Sequence, residues 1–229
     1  QLLGVRRRRS PWTAALAVVA DRLGDEYGVP TLGNFRDPVK EIFYILLSAK
    51  TTDAQYRRTH RALMAAYPRL ADLAAASVAD IRRHIESGGL AGQVVRTARA
   101  LVAAGGRTPG RLLRSYGPAE AFAFLTALPG LGPKSALCVA MYSLNADVLP
   151  VDVNVQRVAE RMGAIPAGLK HYQAQRRLAA VGPDGRSRDL HIGLVVHGRT
   201  VCLPRGPRCG ECVLVDLCAH GRTVRASQR

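Results

Sequence analysis

Cysteines are the first residues in this chain whose type and spacing could do chemistry. The total of five is odd, and four of them fall in the last 28 residues, which argues against a secreted disulfide framework and indicates a metal or cluster site in a reducing compartment. Zinc sites usually combine two tight pairs, whereas only one pair is tight here, and four thiolates can equally hold a [4Fe–4S] cluster. The spacing alone leaves both open. Cys138 is predicted to be a buried, inert thiol. The four clustered residues are Cys202, Cys209, Cys212 and Cys218.

Lys134 follows a proline- and glycine-rich joint between two helical patterns. Gly130 and Gly132 permit a tight turn and a close approach of the backbone to another molecule. A helix that starts near Pro133 would direct its N–H groups and positive dipole end outward, which favours phosphate binding. Two glycines at this spacing are weak evidence by themselves, so an ordinary joint with an exposed lysine is the alternative.

Asp152 lies eighteen residues after Lys134. It follows Pro150 and precedes an amphipathic pattern, and capping the helix start is the commonest role of an aspartate at such a position. A capping role and a chemical role are compatible, because both use the same carboxylate.

Helices are predicted to position these groups throughout the chain. Period-2 alternation between hairpin turns is missing from the sequence, so sheet content should be negligible and the fold all-α. Ser10 and Asp37 each precede a first-turn proline, Asp53 can cap or open a helix, and Ser77 with Asp80 resembles a capping box. The predicted helices span 12–26, 39–47, 53–67, a segment from Ser77 to near Gly88-Gly89, 93–104, 118–126, 133–144, 152–162, 171–181 and 187–198.

Charge indicates the partner. Lys and Arg number 33 against 17 Asp and Glu among 229 residues, a formal net charge of +16. Such an excess favours a polyanion, with nucleic acid first, an anionic membrane surface second and a passive basic surface as the alternative. No apolar run approaches the roughly 20 residues that span a bilayer, and no secretory signal is visible, so we expect a soluble protein.

Several motifs carry a resemblance to a known family. Residues 128–136 resemble the hairpin of the HhH-GPD superfamily of DNA glycosylases, whose motif reads L-P-G-[VL]-G-x-K-[ST]-A, and Asp152 lies in register with that superfamily's aspartate. The cysteine spacing is similar to the C-terminal cluster loop of the endonuclease III family, together with His197-Gly198-Arg199 and residues 207–210. Residues 46–53 (L-L-S-A-K-T-T-D) resemble that family's L-L-S-A-Q-x-T-D.

The resemblance extends from about residue 38 to 219 and implies a fold. It implies a two-lobed, all-α HhH-GPD glycosylase, with a six-helix barrel lobe over 36–146 and a discontinuous iron–sulfur lobe over 1–35 and 147–229. The cysteine loop would hold a [4Fe–4S] cluster, and damaged double-stranded DNA would bind in the cleft between the lobes. A monomer in the cytoplasm, associated with the nucleoid, is expected, with no membrane partner.

The resemblance also implies an activity. Lys134 would attack the sugar of a flipped nucleotide as an amine nucleophile, with Asp152 as its carboxylate partner, in a bifunctional DNA glycosylase and AP lyase that removes oxidised or damaged pyrimidines. The adenine-specific branch carries a glutamate in the first segment and no hairpin lysine, and the thymine-mismatch branch typically has tyrosine there. Ala49 and Lys134 therefore point to the lyase-competent type.

Further contacts follow from the resemblance. Lys50 replaces a glutamine thought to fill the gap left by the flipped base, and Leu90 matches a second wedge residue, with a hydrophobic helix-capping contact as its alternative role. Asn154 replaces a histidine near the substrate pocket. These departures leave the preferred lesion and the opposite base open. Arg205 and Arg208 lie in the cysteine loop, where they would contact phosphates, with merely solvated side chains as the alternative.

Three other functions use parts of the same pattern. A weakly active or non-catalytic damage-binding protein would keep the fold without the lysine–aspartate chemistry. An electron-transfer protein would explain the cysteines but neither the hairpin nor the charge of +16. A zinc-dependent nucleic-acid binder would explain the charge and the cysteines without iron.

Overall fold

Helices account for almost all the regular structure of the chain. The computed structural model describes residues 10–28, 32–49, 51–85, 88–106 and 108–226, apart from the side chains of residues 88 and 225. Within these ranges the chain forms thirteen α-helices, one short 3-10 helix and no strand, which confirms the all-α prediction. No helix in the described ranges combines the length and the apolar character needed to cross a membrane.

The backbone divides into two units, one of which is Gly33–Ala146. Two of its helices, α2 and α9, pack against each other and are buried around most of their circumference. Such helices lack a polar face because neighbouring helices surround them. The helices of this unit are α2 (Pro38–Leu47), α3 (Asp53–Ala66), α4 (Leu70–Ala75), α5 (Val78–Arg82), α6 (Gly88–Gly105), α7 (Pro109–Ser115), α8 (Pro118–Ala127) and α9 (Pro133–Ser143).

The other unit combines the described residues of Gln1–Leu32 and Asp147–Arg229. Its helices are α1 (Pro11–Tyr27), α10 (Val153–Met162), α11 (His171–Val181), α12 (Ser187–Thr200), a 3-10 turn (Cys209–Glu211) and α13 (Ala219–Ala226). Helix α12 packs against both α1 and α10. A Cβ at Gly193 would lie 2.8 Å from the Cβ of Leu23, and one at Gly198 would lie 2.7 Å from that of Asn154. These two glycines therefore permit the close approach of α12 to its neighbours.

Local capping explains several helix starts. Asp37 accepts hydrogen bonds from two N–H groups of the first turn of α2, which confirms its predicted role. Asp53 is the first residue of α3, but the cap is Thr52, whose hydroxyl accepts from the backbone N–H of Gln55 while the Gln55 side chain accepts from the N–H of Thr52.

The prediction for the segment around Gly88 was wrong. The helix opened by Ser77 ends at Arg82, and Gly88 begins α6, five residues before the predicted start at 93. Burial of Ala91 continues the apolar face of α6 into this glycine-rich turn, so packing outweighs the low helix propensity of glycine. Helices α4, α7 and α13 were missed because six to eight residues are too few for a periodic signal.

A buried carboxylate holds the segment that leads into α2. Glu41 is fully buried, and its two oxygens accept hydrogen bonds from the side-chain amide of Asn34 at 2.5 Å and the backbone N–H of Phe35 at 2.8 Å. The hydroxyl of Ser143 on α9 donates to the carbonyl of Phe35 at 2.6 Å. The segment is thus hydrogen-bonded to both α2 and α9.

We expect Glu41→Ala to lower the free energy of unfolding by about 2–4 kcal/mol, because it removes a buried acceptor and leaves two partly buried donors without their partner. Urea denaturation followed by circular dichroism measures the change. Glu120→Ala, which removes an exposed glutamate of α8, is the matched control and should change stability by less than about 0.5 kcal/mol. Equal stability of the two variants would contradict the structural role of Glu41.

Candidate active site and cysteine pocket

The glycine-rich joint before Lys134 rests on helix α6. The hydroxyl of Thr97, which is fully buried, donates to the carbonyl of Pro129 at 2.7 Å. The backbone N–H of Leu131 donates to the carbonyl of Leu128 at 3.2 Å and closes the turn. A long-range hydrogen bond and a local one therefore fix the path of the joint.

The two glycines of the joint serve different purposes. Gly130 has φ of +83°, and a Cβ there would lie 2.8 Å from Leu46 and 3.0 Å from Gln93. The fold itself therefore requires glycine at 130. A Cβ at Gly132 would meet nothing within 4 Å, and its φ of −81° suits any residue. The backbone at 132 is consequently open to approach by another molecule.

Lys134 lies in the first turn of α9 and is half-buried. Gly132 is the N-cap of this helix and has no side chain to cap it. The N-terminal end of α9 therefore carries its positive dipole beside the lysine, which suits an anionic group such as a phosphate. Lys134 belongs to the Gly33–Ala146 unit, and Asp152 belongs to the other unit.

Asp152 caps helix α10, as its position predicted. Its Oδ1 accepts from the backbone N–H groups of Asn154 at 2.9 Å and Val155 at 2.8 Å. Its Oδ2 accepts from the side-chain amide of Asn154 at 3.1 Å. Three hydrogen bonds thus fix the orientation of a half-buried carboxylate, and all three suit its ionised, acceptor-only form.

Side chains of α11 and α12 hold the loop that precedes Asp152. Buried Gln175 donates to the carbonyl of Leu149 at 2.6 Å and accepts from the N–H of Val151 at 2.8 Å. Nδ1 of His191, also buried, lies 2.8 Å from the carbonyl oxygen of Pro150. Buried backbone groups need such partners, so these two side chains position the loop and the aspartate after it.

Arg157 connects the aspartate to the cysteine segment. Its Nη2 donates to Oδ1 of Asn154 at 2.9 Å and to the carbonyl of Gly198 at 2.7 Å. Its Nε donates to the carbonyl of Cys202 at 2.9 Å. Burial lowers the pKa of the Arg157 guanidinium, and hydrogen bonds to these acceptors offset part of the cost of burying the charge. A continuous hydrogen-bonded chain therefore runs from Asp152 through Asn154 and Arg157 to Cys202.

All four clustered cysteines line one pocket and are free thiols. Arg161 contributes to the same pocket, where its Nη1 donates to Sγ of Cys202 at 3.3 Å and its carbonyl accepts from Sγ of Cys218 at 3.3 Å. The pocket therefore collects the cysteines that the sequence singled out: Cys202, Cys209, Cys212 and Cys218.

The sulfurs of this pocket influence one another. Burial raises the pKa of the Cys209 and Cys212 thiols, and the negative charge of the neighbouring cysteines raises it further. A bound cation or cationic cluster would offset that repulsion, so the residue types that line the pocket suit a thiolate-held metal group. As they stand, no three His, Cys, Asp or Glu side chains of the described residues form a group that could hold a metal ion.

Three of the four remaining predicted contact residues lie among the described residues. Lys50 lies outside the described residues. Leu90 lies in the first turn of α6 and is partly exposed. Arg205 and Arg208 are exposed, and Arg208 lies 3.8 Å from the carboxylate of Glu211 in a surface ion pair.

Comparison with known sequences decides the family. The profile of the HhH-GPD superfamily of base excision DNA repair proteins matches residues 43–183, more than half of the chain. The chain belongs to this superfamily.

Endonuclease III enzymes are among its relatives. That of Escherichia coli K12 is 31% identical over 196 residues, which cover 83% of this chain and 88% of the enzyme. That of Haemophilus influenzae is 26% identical over 212 residues, 90% of this chain and 95% of the enzyme. The predicted membership of the endonuclease III family is confirmed.

Solved structures show the same fold. A trapped endonuclease III–DNA covalent intermediate aligns with a TM-score of 0.80 and 22% identity over 93% of this chain and 98% of that protein. A thermostable thymine-DNA glycosylase aligns with a TM-score of 0.77 and 22% identity over 93% and 97%. The HhH-GPD glycosylase fold is therefore confirmed.

Several polar residues that position the site in this HhH-GPD protein were not predicted from the sequence. Gln175, His191 and Arg157 hold the aspartate and its loop, and Thr97 supports the hairpin. A weak signal was present, because Gln175 and Thr97 occupy positions on the apolar faces of helices where a polar side chain needs a buried partner. The identity of each partner is a tertiary property.

The two hairpin glycines give a matched test. We expect Gly132→Ala to leave stability within about 0.5 kcal/mol of wild type but to weaken binding to duplex DNA, because a methyl group enters the open space beside the backbone. Gly130→Ala should lower the free energy of unfolding by about 1–3 kcal/mol through its positive φ and its contact with Leu46. Urea denaturation and fluorescence anisotropy with an abasic-analogue duplex separate the two effects. Wild-type DNA affinity in Gly132→Ala would exclude a close approach at this position.

Proposed function

We propose that this chain is a bifunctional DNA glycosylase and AP lyase that removes oxidised or damaged pyrimidines from duplex DNA. The observation that carries the proposal is Lys134 in the first turn of α9, two residues after an open glycine N-cap, in a member of the endonuclease III family. A primary amine at that point is the group a lyase needs, because it can form a covalent bond with the sugar.

The target nucleotide must first leave the base stack, which costs a few kcal/mol and costs least for damaged or mispaired bases. We assign Lys50 and Leu90 to the gap that remains, where side chains can substitute for the lost stacking and stabilise kinked DNA. Asn154, which already holds the carboxylate of Asp152, is assigned to the rim of the substrate pocket.

Base removal begins with the uncharged amine of Lys134. Its nitrogen forms a bond to C1′ while the glycosidic bond to the base breaks, and the departing base takes up a proton. Asp152 accepts the proton released by the amine and stabilises the positive charge that develops on the sugar. Its hydrogen bonds to the start of α10 keep the carboxylate in one orientation during this step.

The lyase step follows from the covalent adduct. Opening of the sugar ring yields a Schiff base between the Lys134 nitrogen and C1′. This iminium acidifies the C2′ protons, so loss of one of them expels the 3′ phosphate as the C3′–O bond breaks. Water then hydrolyses the Schiff base and releases the enzyme.

Electrostatics supply much of the affinity in this proposal. The formal charge of +16 favours the phosphate backbone, and Arg205 and Arg208 are exposed side chains that can neutralise phosphates. We propose that the protein acts as a monomer on DNA at the nucleoid in the cytoplasm.

Borohydride trapping tests the nucleophile. The chain has only four lysines, Lys40, Lys50, Lys134 and Lys170, so the adduct can be assigned by single substitutions. We expect Lys134→Ala to abolish the covalent adduct with abasic and thymine-glycol duplexes, and Lys134→Gln to retain damage binding without excision. Denaturing electrophoresis after reduction measures the adduct, and mass spectrometry maps it.

Lys40→Ala and Lys170→Ala are the matched controls, since both remove exposed lysines outside the hairpin. They should trap at the wild-type rate. Undiminished trapping by Lys134→Ala would refute the assignment, and loss of trapping in Lys50→Ala alone would move the nucleophile to that residue. A wild-type protein that binds damage but never nicks it would instead be a non-catalytic damage-binding protein.

We further propose that Cys202, Cys209, Cys212 and Cys218 hold a [4Fe–4S] cluster. Four thiol side chains around one pocket, in a spacing similar to the cluster loop of the endonuclease III family, support this ligand set. When bound, the cluster would restrain residues 202–218 in one shape rather than take part in base excision. The exposed Arg205 and Arg208 lie within that segment.

Metal analysis distinguishes the cluster from zinc. We expect the purified protein to contain iron and inorganic sulfide and to absorb visible light, which zinc with its filled d shell does not. Cys212→Ala should lose both iron and absorbance, whereas Cys138→Ala, which removes a buried thiol of the other unit, should retain them. Stoichiometric zinc in colourless protein would contradict the proposal.

A further inference from the structure

His197 connects a tyrosine to one cysteine of the pocket. It lies on α12, its side chain is only 1% exposed, and it lines the pocket beside the four cysteines. Its Nδ1 lies 2.8 Å from the hydroxyl oxygen of Tyr27, and its Nε2 lies 3.4 Å from Sγ of Cys212. Both ring nitrogens therefore have a partner within hydrogen-bonding distance.

The backbone of the same residue reaches the other end of the cysteine segment. The carbonyl of His197 accepts from the N–H of Cys202 at 2.8 Å and from the N–H of Val201 at 2.9 Å. His197 thus contacts one predicted ligand through its main chain and another through its ring, which keeps the imidazole close to the sulfur of Cys212.

Ligand chemistry determines which ring nitrogen carries the hydrogen. A cysteine that binds iron is a thiolate and can only accept a hydrogen bond. A neutral imidazole has one N–H donor and one acceptor nitrogen, so Nε2 must be the donor to Cys212 and Nδ1 must be the acceptor. The Tyr27 hydroxyl can donate to Nδ1 and so stabilises this tautomer.

We propose that Tyr27 and His197 form a relay that donates a hydrogen bond to the thiolate of Cys212 and thereby sets the reduction potential and retention of the cluster. This inference rests on the proposed [4Fe–4S] group. Tyr27 stabilises the required tautomer, and His197 supplies the N–H. Both are positioning residues for the metal group rather than catalytic residues for DNA.

The direction of the effect follows from charge. A donor to a cluster sulfur stabilises the additional negative charge of the reduced state, so it raises the reduction potential. Residues that support metal ligands in this way also strengthen metal retention. Removal of the donor should therefore lower the potential and accelerate the loss of iron.

Three variants separate hydrogen bonding from packing. Tyr27→Phe removes the hydroxyl and keeps the ring, His197→Phe removes the N–H, and His197→Gln retains a side-chain N–H donor. Tyr172→Phe removes the hydroxyl of an exposed tyrosine on α11 and is the matched control. Thermal unfolding of each variant reports separately on folding, and Tyr27→Phe provides the test if His197→Phe does not fold.

Protein-film voltammetry without DNA and iron release to a chelator are the measurements. We expect lower midpoint potentials for Tyr27→Phe and His197→Phe, iron release about tenfold faster or more from His197→Phe, and near-wild-type values for His197→Gln and Tyr172→Phe. Wild-type potentials in iron-loaded Tyr27→Phe and His197→Phe would overturn the relay, as would an equal fall in His197→Gln and His197→Phe. An iron-free wild-type protein would refute both the cluster and the relay, while Lys134 trapping would still test the glycosylase proposal independently.

Discussion

The backbone between Leu149 and Asp152 is buried, so its polar groups need hydrogen-bond partners inside the protein. This requirement fixes the position of the candidate active-site carboxylate. Gln175 and His191 supply partners for this loop from two different helices, and Asp152 then caps the helix that follows. A shift of the carboxylate would break several of these bonds together, each at a cost of about 1–3 kcal/mol when a buried group is left unpaired. The packing of α10, α11 and α12 therefore positions the aspartate.

Helix starts were largely predictable because their signals are local. Asp37 and Asp152 cap helices with groups two or three residues away, so the sequence contains the complete interaction. The wrong prediction at Gly88 arose because the deciding interaction there is not local. Glycine pairs usually mark a helix end, but the buried face of α6 extends through Ala91 and recruits the glycines into its first turn. Packing from distant helices is not encoded in the local pattern.

The candidate site shows the same difference between local signals, which could be predicted, and tertiary contacts, which could not. Cysteine spacing and the hairpin motif indicated the chemistry because both are short, local patterns. The different roles of Gly130 and Gly132 could not be predicted, since the side chains that crowd Gly130 come from Leu46 and Gln93, far away in the sequence. Arg157 is separated from its acceptors at Gly198 and Cys202 by 41 and 45 residues. Such contacts exist only after the helices have packed.

The cysteine segment is anchored by hydrogen bonds of the polypeptide itself. The N–H of Cys202 donates to the carbonyl of His197 at 2.8 Å, and the N–H of Arg208 donates to that of Val201 at 2.9 Å. Arg157 contacts the backbone carbonyl of Cys202 rather than its sulfur. The hydrogen-bonded chain from Asp152 to Cys202 therefore ends on the backbone of the cysteine segment. A thiolate-held group would restrain residues 202–218, whereas the position of Asp152 follows from the side chains of α11 and α12 that hold its loop.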